Sequence, residues 1–246
     1  MPAYNSHATV RESVESALAQ TIEDLEVIVV DDGSATPIAD ALDGIDDPRL
    51  RLLRHDRNRN APTARNTALK AARAPLVSYL DSDDRWKPAY LERVLPRFEN
   101  PATGLVYTNC EIVDHPTGHD TYIVDASVHP MDAFPKIAEQ NPIPALTATM
   151  RTQAVRDVGG FAQWLWVCDD YHLWMKLARA GWRFDYVDEK LAVYRWPTAD
   201  RGHSFDRRSA ERDELKMFAG FMLRHPLTPG PRRQVRHRIK RLLRER

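Results

Sequence analysis

Cysteine is nearly absent: Cys110 and Cys168 are the only two in 246 residues, and they form no Cys-x-x-Cys pair. A small disulfide scaffold is excluded, and free thiols in a reducing compartment are the expectation. Glycine is sparse as well, with 10 in the chain and none before Gly33, so no glycine-rich phosphate loop opens the sequence. No apolar run approaches the ~20 residues that cross a bilayer, and the polar, broken first residues do not read as a secretory signal. A cytoplasmic protein is therefore expected. Charge of one sign is missing too, since Lys+Arg and Asp+Glu both total 35. At 43% hydrophobic and 28% charged residues the chain is neither disordered nor collagen-like, and it can bury a sizeable core.

The zero net charge conceals a division. Residues 224–246 hold nine Lys/Arg against the single acid Glu245, a surplus of eight, so residues 1–223 carry a deficit of eight. We expect one domain over 1–223, with a nucleotide-binding half at about 1–100 and an acceptor half at about 101–223, followed by a basic tail at 224–246. Within the tail, Val235, Ile239, Leu242 and Leu243 recur at helical spacing amid positive charge. That pattern suits docking on an anionic membrane surface, or alternatively a solvated helix or one packed on the acidic body. The acidic companion argues against nucleic acid.

Periodicity in the first half alternates strand and helix. Val10, Val14, Ala17 and Leu18 mark a helix over Ser6–Gln20 with Ser6 as its cap, and Leu25–Val30 reads as a strand buried on both faces. A helix at Pro37–Leu42, a strand at Arg49–His55, a helix at Thr63–Arg73, a strand at Pro75–Leu80 and a helix from Pro88 follow. This order predicts an α/β fold with a mostly parallel sheet flanked by helices. Ligands then bind beyond the carboxyl ends of the strands. The second half is less regular, with strands at Leu105–Val113 and Tyr122–Val124, a helix at Met131–Gln140 and a strand at Leu146–Arg151. A helix at Asp169–Ala180, an extended stretch at Arg183–Arg195 turning near Asp188-Glu189, and a helix at Ser204–Leu223 complete it. Pro226, Pro229 and Pro231 read as a linker.

Two strand ends carry carboxylates, Asp31-Asp32-Gly33-Ser34 and Asp81-Ser82-Asp83-Asp84. Carboxylates crowded there repel one another, whereas a hard cation such as Mg²⁺ or Mn²⁺ takes one or two of them together with substrate phosphates. An Asp-x-Asp after a buried strand offers one carboxylate to the metal and one to a sugar hydroxyl. The alternative is a turn, with Asp84 capping the helix that starts near Pro88.

The motifs occur in a telling order. Pro2-Ala3-Tyr4-Asn5, Asp31-Asp32-Gly33-Ser34, Ala64-Arg65-Asn66 and Asp81-Ser82-Asp83-Asp84 are followed by Val158-Gly159-Gly160-Phe161, Asp169-Asp170-Tyr171-His172-Leu173-Trp174, Tyr194-Arg195 and His203-Ser204. Over roughly residues 1–205 this resembles the inverting glycosyltransferases of family 2, which have a GT-A fold. The resemblance implies a nucleotide-sugar donor, a carbohydrate, lipid-linked or small-molecule acceptor, and Mn²⁺ or Mg²⁺. By it, Pro2, Ala3 and Tyr4 line the base pocket and Asp32 accepts from a base N–H. Arg65 supports the nucleotide side or bridges to the Asp81–Asp84 turn, Asp81 touches ribose or donor sugar, Asp83 holds the metal, and His203 approaches the diphosphate or is a solvated loop histidine.

Asp170 is implied as the base that takes the acceptor proton, on the face opposite the leaving group. Asp169 stands where the family has Glu and is placed beside the acceptor or at the helix N-terminus. Trp174, one turn beyond Asp170, walls the acceptor site or packs in the core. Trp164 and Trp166 form an acceptor-facing loop or pack. His115 and His119 share a turn made by Pro116 and Gly118 and are not read as a metal site.

Three departures stand out. Asn58-Arg59-Asn60 replaces an Asn-x-Gly turn, which Asn tolerates better than most residues. Thr36 replaces an Asp. The family's buried strand before Pro-Ala-Tyr-Asn has no counterpart ahead of Met1, so the expectation is a start set too late or an incomplete form. Two rival functions remain: a sugar nucleotidyltransferase, disfavoured by the lack of an early glycine loop, and a non-catalytic sugar- or partner-binding protein on the same fold.

Overall fold

The computed structural model describes residues 1–114, 121–122, 136–138, 141, 143–196, 207–225 and 229–244. Three parallel strands begin the chain: β1 (Pro2–Ala3), β2 (Val27–Asp31) and β3 (Leu50–Arg54), in the order β1-β2-β3. All five residues of β2 are buried, as expected of a strand covered on both faces. The first strand is two residues long, pairing Pro2 with Val30 and Ala3 with Asp31. Its ladder continues into Met1, whose carbonyl accepts from the Val30 N–H and whose amine donates to the Ile28 carbonyl at 2.8 Å.

Helices α1 (Val10–Leu18) and α2 (Ile38–Ala41) connect these strands, and α3 (Ala61–Ala71) follows β3 and leads to the second sheet. Helix α1 buries Val10, Val14 and Ala17, the apolar stripe read from spacing, but its cap is Thr9 rather than Ser6. The Ser6 carbonyl instead accepts from the Thr9 and Val10 N–H groups, forming a turn that leads into the helix.

The second sheet is mixed, not mostly parallel. It contains β4 (Leu76–Ser78), β5 (Arg85–Trp86), β6 (Thr103–Val113), β7 (Thr121–Tyr122), β8 (Thr149–Arg151) and β9 (Arg183–Arg195), in the order β4-β8-β6-β9-β5 with β7 on β6. Among the described residues of this sheet, only β6 and β9 run parallel. Their register jumps from Thr108 beside Val187 to Asn109 beside Lys190. Asp188 and Glu189 are thus extra residues in a bulge, where the sequence suggested a turn.

Helix α4 (Tyr90–Val94) passes into a 3₁₀ turn at Leu95–Glu99; α5 (Thr152–Asp157), α6 (Asp169–Arg179), α7 (Arg207–Arg224) and α8 (Pro229–Arg244) follow. The largest core cluster joins Tyr107, Met150 and Phe184 of the sheet to Leu173 and Trp174 of α6, Phe218 and Phe221 of α7 and Val235 of α8. Pro229 and Pro231 lie inside the first turn of α8 rather than in a linker, because proline there sacrifices only N–H groups that have no helical partner. Among the described residues no helix is long and apolar enough to cross a membrane. His203, the His115/His119 pair and most of the expected Met131–Gln140 helix lie outside the described residues.

Candidate active site

The carboxyl ends of β1, β2 and β4 open into one cleft of about 860 Å³, shared with the start of α6. Pro2, Ala3, Tyr4, Asp32, Arg65, Asp81, Asp83, Asp169 and Asp170 all line it, so nine of the ten described site residues named from sequence converge. Trp174 does not: its side chain is fully buried in the core, so it packs and does not wall the acceptor side. Trp166, about half exposed at 56%, lines the cleft instead.

The first wall is two turns latched together. The Asn5 amide donates to Ser34 Oγ at 2.9 Å, and the Ala35 amide donates to Asn5 Oδ1 at 3.1 Å. Asp31 is structural, since its oxygens accept from the Ser34 and Ile38 amides and from Arg54. Burial raises its pKa, but these hydrogen bonds outweigh that and hold it below the usual range. Gly33 is required where it stands. At φ +75° a Cβ would lie 2.3 Å from the Arg57 carbonyl carbon.

Asp32 is buried and already engaged. His55 Nδ1 donates to its Oδ1 at 2.6 Å, and the Arg59 amide reaches both oxygens at 3.0 and 3.1 Å. One lone pair remains on Oδ2 for a ligand N–H. Sequence reading missed His55, because nothing in its neighbours marks it; only the parallel pairing of β2 and β3 sets it beside Asp32.

Asn60 explains the departure from Asn-x-Gly. Its backbone, at φ 79° and ψ 158°, lies in a region used almost only by glycine. The side chain compensates by capping α3, Oδ1 accepting from the Thr63 amide at 3.0 Å and hydroxyl at 2.8 Å, while Nδ2 donates to the Gln163 carbonyl at 2.8 Å.

The centre of the cleft is electrostatic. Buried Arg65 donates through Nη2 to Asp81 Oδ1 at 2.7 Å and through Nη1 to Asp169 Oδ2 at 2.6 Å. It is a clamp between the strand-end carboxylates and the start of α6. Asp84 does not cap a helix; its Oδ1 accepts the Arg195 amide at 2.9 Å. Burial, with the negative charges of Asp83 and Asp81, pushes the Asp84 acid well up.

That crowding is what a divalent cation relieves, and the oxygen-only donors suit Mg²⁺ or Mn²⁺. Among the described residues no three His, Cys, Asp or Glu side chains converge into a cage. The residues therefore fit a cation held by one or two carboxylates, with the remaining positions left to phosphates and water.

Asp170, in the first turn of α6, is half-buried. Burial and the adjacent Asp169 carboxylate push its acid up from the usual range to about 6. Cys168, just before it, adopts φ 61°, an unusual backbone for a non-glycine residue that turns the chain into the helix.

A family model described as Glycosyl transferase family 2 matches residues 1–157. The chain belongs to that family. The match to the family 2 model ends before Asp169 and Asp170, whose roles rest on the resemblance and the geometry. The glucosyltransferase WfgD of Escherichia coli, named as acting on UDP-Glc and alpha-D-GlcNAc-diphosphoundecaprenol, is 29% identical over 179 residues, 73% of this chain and 68% of that one. Succinoglycan biosynthesis protein ExoO of Rhizobium meliloti (strain 1021) is 41% identical over 111 residues, 45% of this chain, which spans only 32% of ExoO. Among solved structures, the mannosyltransferase PcManGT of Pyrobaculum calidifontis, in complex with GDP-Man and Mn²⁺, aligns at TM-score 0.73 and 24% identity, over 98% of this chain and 68% of that one. S. aureus TarS 1-349 with UDP-GlcNAc aligns at TM-score 0.75 and 18% identity, over 98% and 70%. At such identities the likeness is one of fold, the GT-A type.

In this family 2 chain the loop leading to α6 is held at three points. Asn66 donates to the Phe161 carbonyl at 2.9 Å and accepts the Phe161 amide at 2.8 Å. Asn60 holds Gln163, and buried Lys176 donates to the carbonyls of Val158, at 2.9 Å, and Gly160. Burial brings the Lys176 ammonium down to about 8. Lys176 was invisible to sequence reading because it sits at a helix position that is normally solvated.

Proposed function

We propose that this chain transfers a glycosyl group from a nucleoside-diphosphate sugar to an acceptor hydroxyl with inversion, Asp170 serving as base. One observation carries the reading: a half-buried carboxyl with a raised pKa shares a cleft with the Asp81–Asp84 carboxylates and is joined to them through Arg65 and Asp169. A base tuned toward neutrality, facing a strand-end Asp-x-Asp, is the chemistry that such a transfer needs.

In this reading Pro2, Ala3 and Tyr4 flank the base, and the remaining lone pair of Asp32 accepts from it. Asp81, fixed by Arg65, orients ribose or donor sugar. His203 remains assigned to the diphosphate by resemblance alone. Asp83 would hold Mn²⁺ or Mg²⁺, which when bound offsets the charge of the departing diphosphate. The Asp170 carboxylate takes the acceptor hydroxyl proton as that oxygen attacks the anomeric carbon from the face opposite the nucleotide. Asp169, locked by Arg65, is a positioning residue beside the acceptor and keeps the α6 start in place. The named activity of WfgD favours a lipid-linked saccharide as acceptor class, which fits a protein working at the inner membrane face.

A thermal-shift screen of nucleoside diphosphates with and without Mn²⁺ tests donor binding. Metal-dependent stabilisation by one base class is the expected result. No response to any nucleotide from well-folded protein would favour the non-catalytic alternative. Anomeric configuration of the transferred sugar, read by NMR, tests inversion.

A further inference from the structure

We propose that the outward face of α8 adsorbs to an anionic phospholipid bilayer through charge alone, while Val235 and Ile239 of the same helix stay against the protein core. The sequence makes α8 look like a helix that inserts its apolar stripe. The fold uses that stripe differently: Val235 is fully buried and Ile239 packs on the core cluster containing Ile137, Phe218 and Phe221.

What remains outside is basic apart from Leu243, which is 54% exposed. Arg232, Arg233, Arg236, His237 and Lys240 are exposed. At 100° per residue Arg232, Arg236 and Lys240 fall within one 80° arc, with Arg233 beside it. Among the described residues none of these four cations pairs with a carboxylate, although the body carries a deficit of eight charges. A flat anionic surface can pair with this arc, whereas a nucleic acid long enough to wrap the body would also face its negative charge.

The position of α8 is apt. It packs on the 3₁₀ turn Lys136–Ala138. Within that turn the Ile137 carbonyl accepts the Tyr171 hydroxyl at 2.7 Å, and Tyr171 directly follows Asp170. The basic face thus belongs to the scaffold behind the proposed base. Its use rests on the lipid-linked acceptor reading above, but adsorption itself does not.

The test is co-sedimentation of the full chain with phosphatidylglycerol/phosphatidylcholine vesicles and with pure phosphatidylcholine vesicles. Binding only to the anionic vesicles, lost between about 0.05 and about 0.5 M salt, is expected. Combined Arg232→Gln, Arg236→Gln and Lys240→Gln should lower the partition coefficient about a hundredfold, as loss of three surface-proximal charges predicts, with an unchanged thermal midpoint. Leu243→Ser should bind like the parent. Salt-independent binding, loss of binding with Leu243→Ser alone, or an unaffected triple variant would overturn the proposal. Equal affinity for duplex DNA at matched phosphate and salt would do the same. Transfer to a water-soluble acceptor, measured alongside, is expected to be the same in the triple variant. A chain that adsorbs but transfers nothing sinks the enzymatic reading and leaves adsorption standing.

Discussion

The Arg65 guanidinium donates to the Asp169 carboxylate at 2.6 Å across 104 positions of sequence, and both groups are buried. With its second nitrogen on Asp81, Arg65 makes the two motif-bearing halves of the chain one electrostatic unit. Its cation-π approach to the Phe161 ring, at 5.5 Å, ties the same group to the loop before α6.

Removing this clamp leaves two carboxylates without their cation. Arg65→Ala is expected to cost about 3–5 kcal/mol, the usual penalty for orphaning buried charge, measured by urea denaturation at neutral pH. Arg65→Gln keeps much of the volume, so it isolates the charge. Because the guanidinium holds the Asp170 acid down, the acidic limb of kcat/KM should move to higher pH in this variant. A limb that stays in place would separate Arg65 from the base.

Asp170 supplies the second prediction. Asp170→Asn should lower kcat by about 10²–10⁴ and leave donor-induced thermal stabilisation intact. In the parent, kcat/KM should rise with pH through about 6 as the carboxyl loses its proton. The stability sign is opposite. The folded acid titrates above its unfolded value of about 3.9, so the native state keeps a proton that the unfolded chain has released. Stability therefore falls as pH climbs between the two values and stays lower above about 6. Asp170→Asn should accordingly stabilise the neutral-pH protein, by about 3 kcal/mol at most.

Asp83→Ala is expected to weaken metal-dependent donor binding while sparing the fold, since Asp83 is only half-buried. The readout is the Mn²⁺ dependence of the nucleoside-diphosphate thermal shift. Equal shifts in variant and parent would transfer the metal role to another carboxylate of the turn.

Gly160 gives a test of the loop clamp. It sits at φ +63°, and a Cβ there would lie 2.5 Å from Asn66 Oδ1. Gly160→Ala must therefore strain the backbone and push Asn66 off Phe161, at about 1–3 kcal/mol. Asn66→Ala removes the obstructing oxygen, so the double variant should be less unstable than the sum of the two single changes. Strict additivity by denaturant midpoints would contradict the clamp.

Much of the first half was readable because its information is local. The buried run at Val27–Asp31, the apolar stripe of α1 and the Asp-x-Asp after β4 each announce themselves within a few residues. The site motifs were readable because carboxylates crowded at strand ends are conspicuous in the sequence itself. Trp174 shows the limit. Helical spacing put it one turn from Asp170, but spacing alone does not say which faces the rest of the fold covers, and the main core cluster buries this one. The second sheet escaped for a similar reason: antiparallel and parallel pairing use the same alternating strands, and long-range contacts choose between them.

The basic segment makes the same division. By itself the sequence determined that a helix would form there, with apolar residues on one side and a surplus of eight positive charges. It likewise determined the α/β order, the family resemblance and the carboxylates of the cleft. Only the tertiary structure decided that Val235 is buried in the core, that Arg65 spans Asp81 and Asp169, and that His55 occupies Asp32. The reason is physical. Periodicity and charge are properties of a segment, whereas burial and ion pairing depend on which distant groups the packed core brings within a few ångströms.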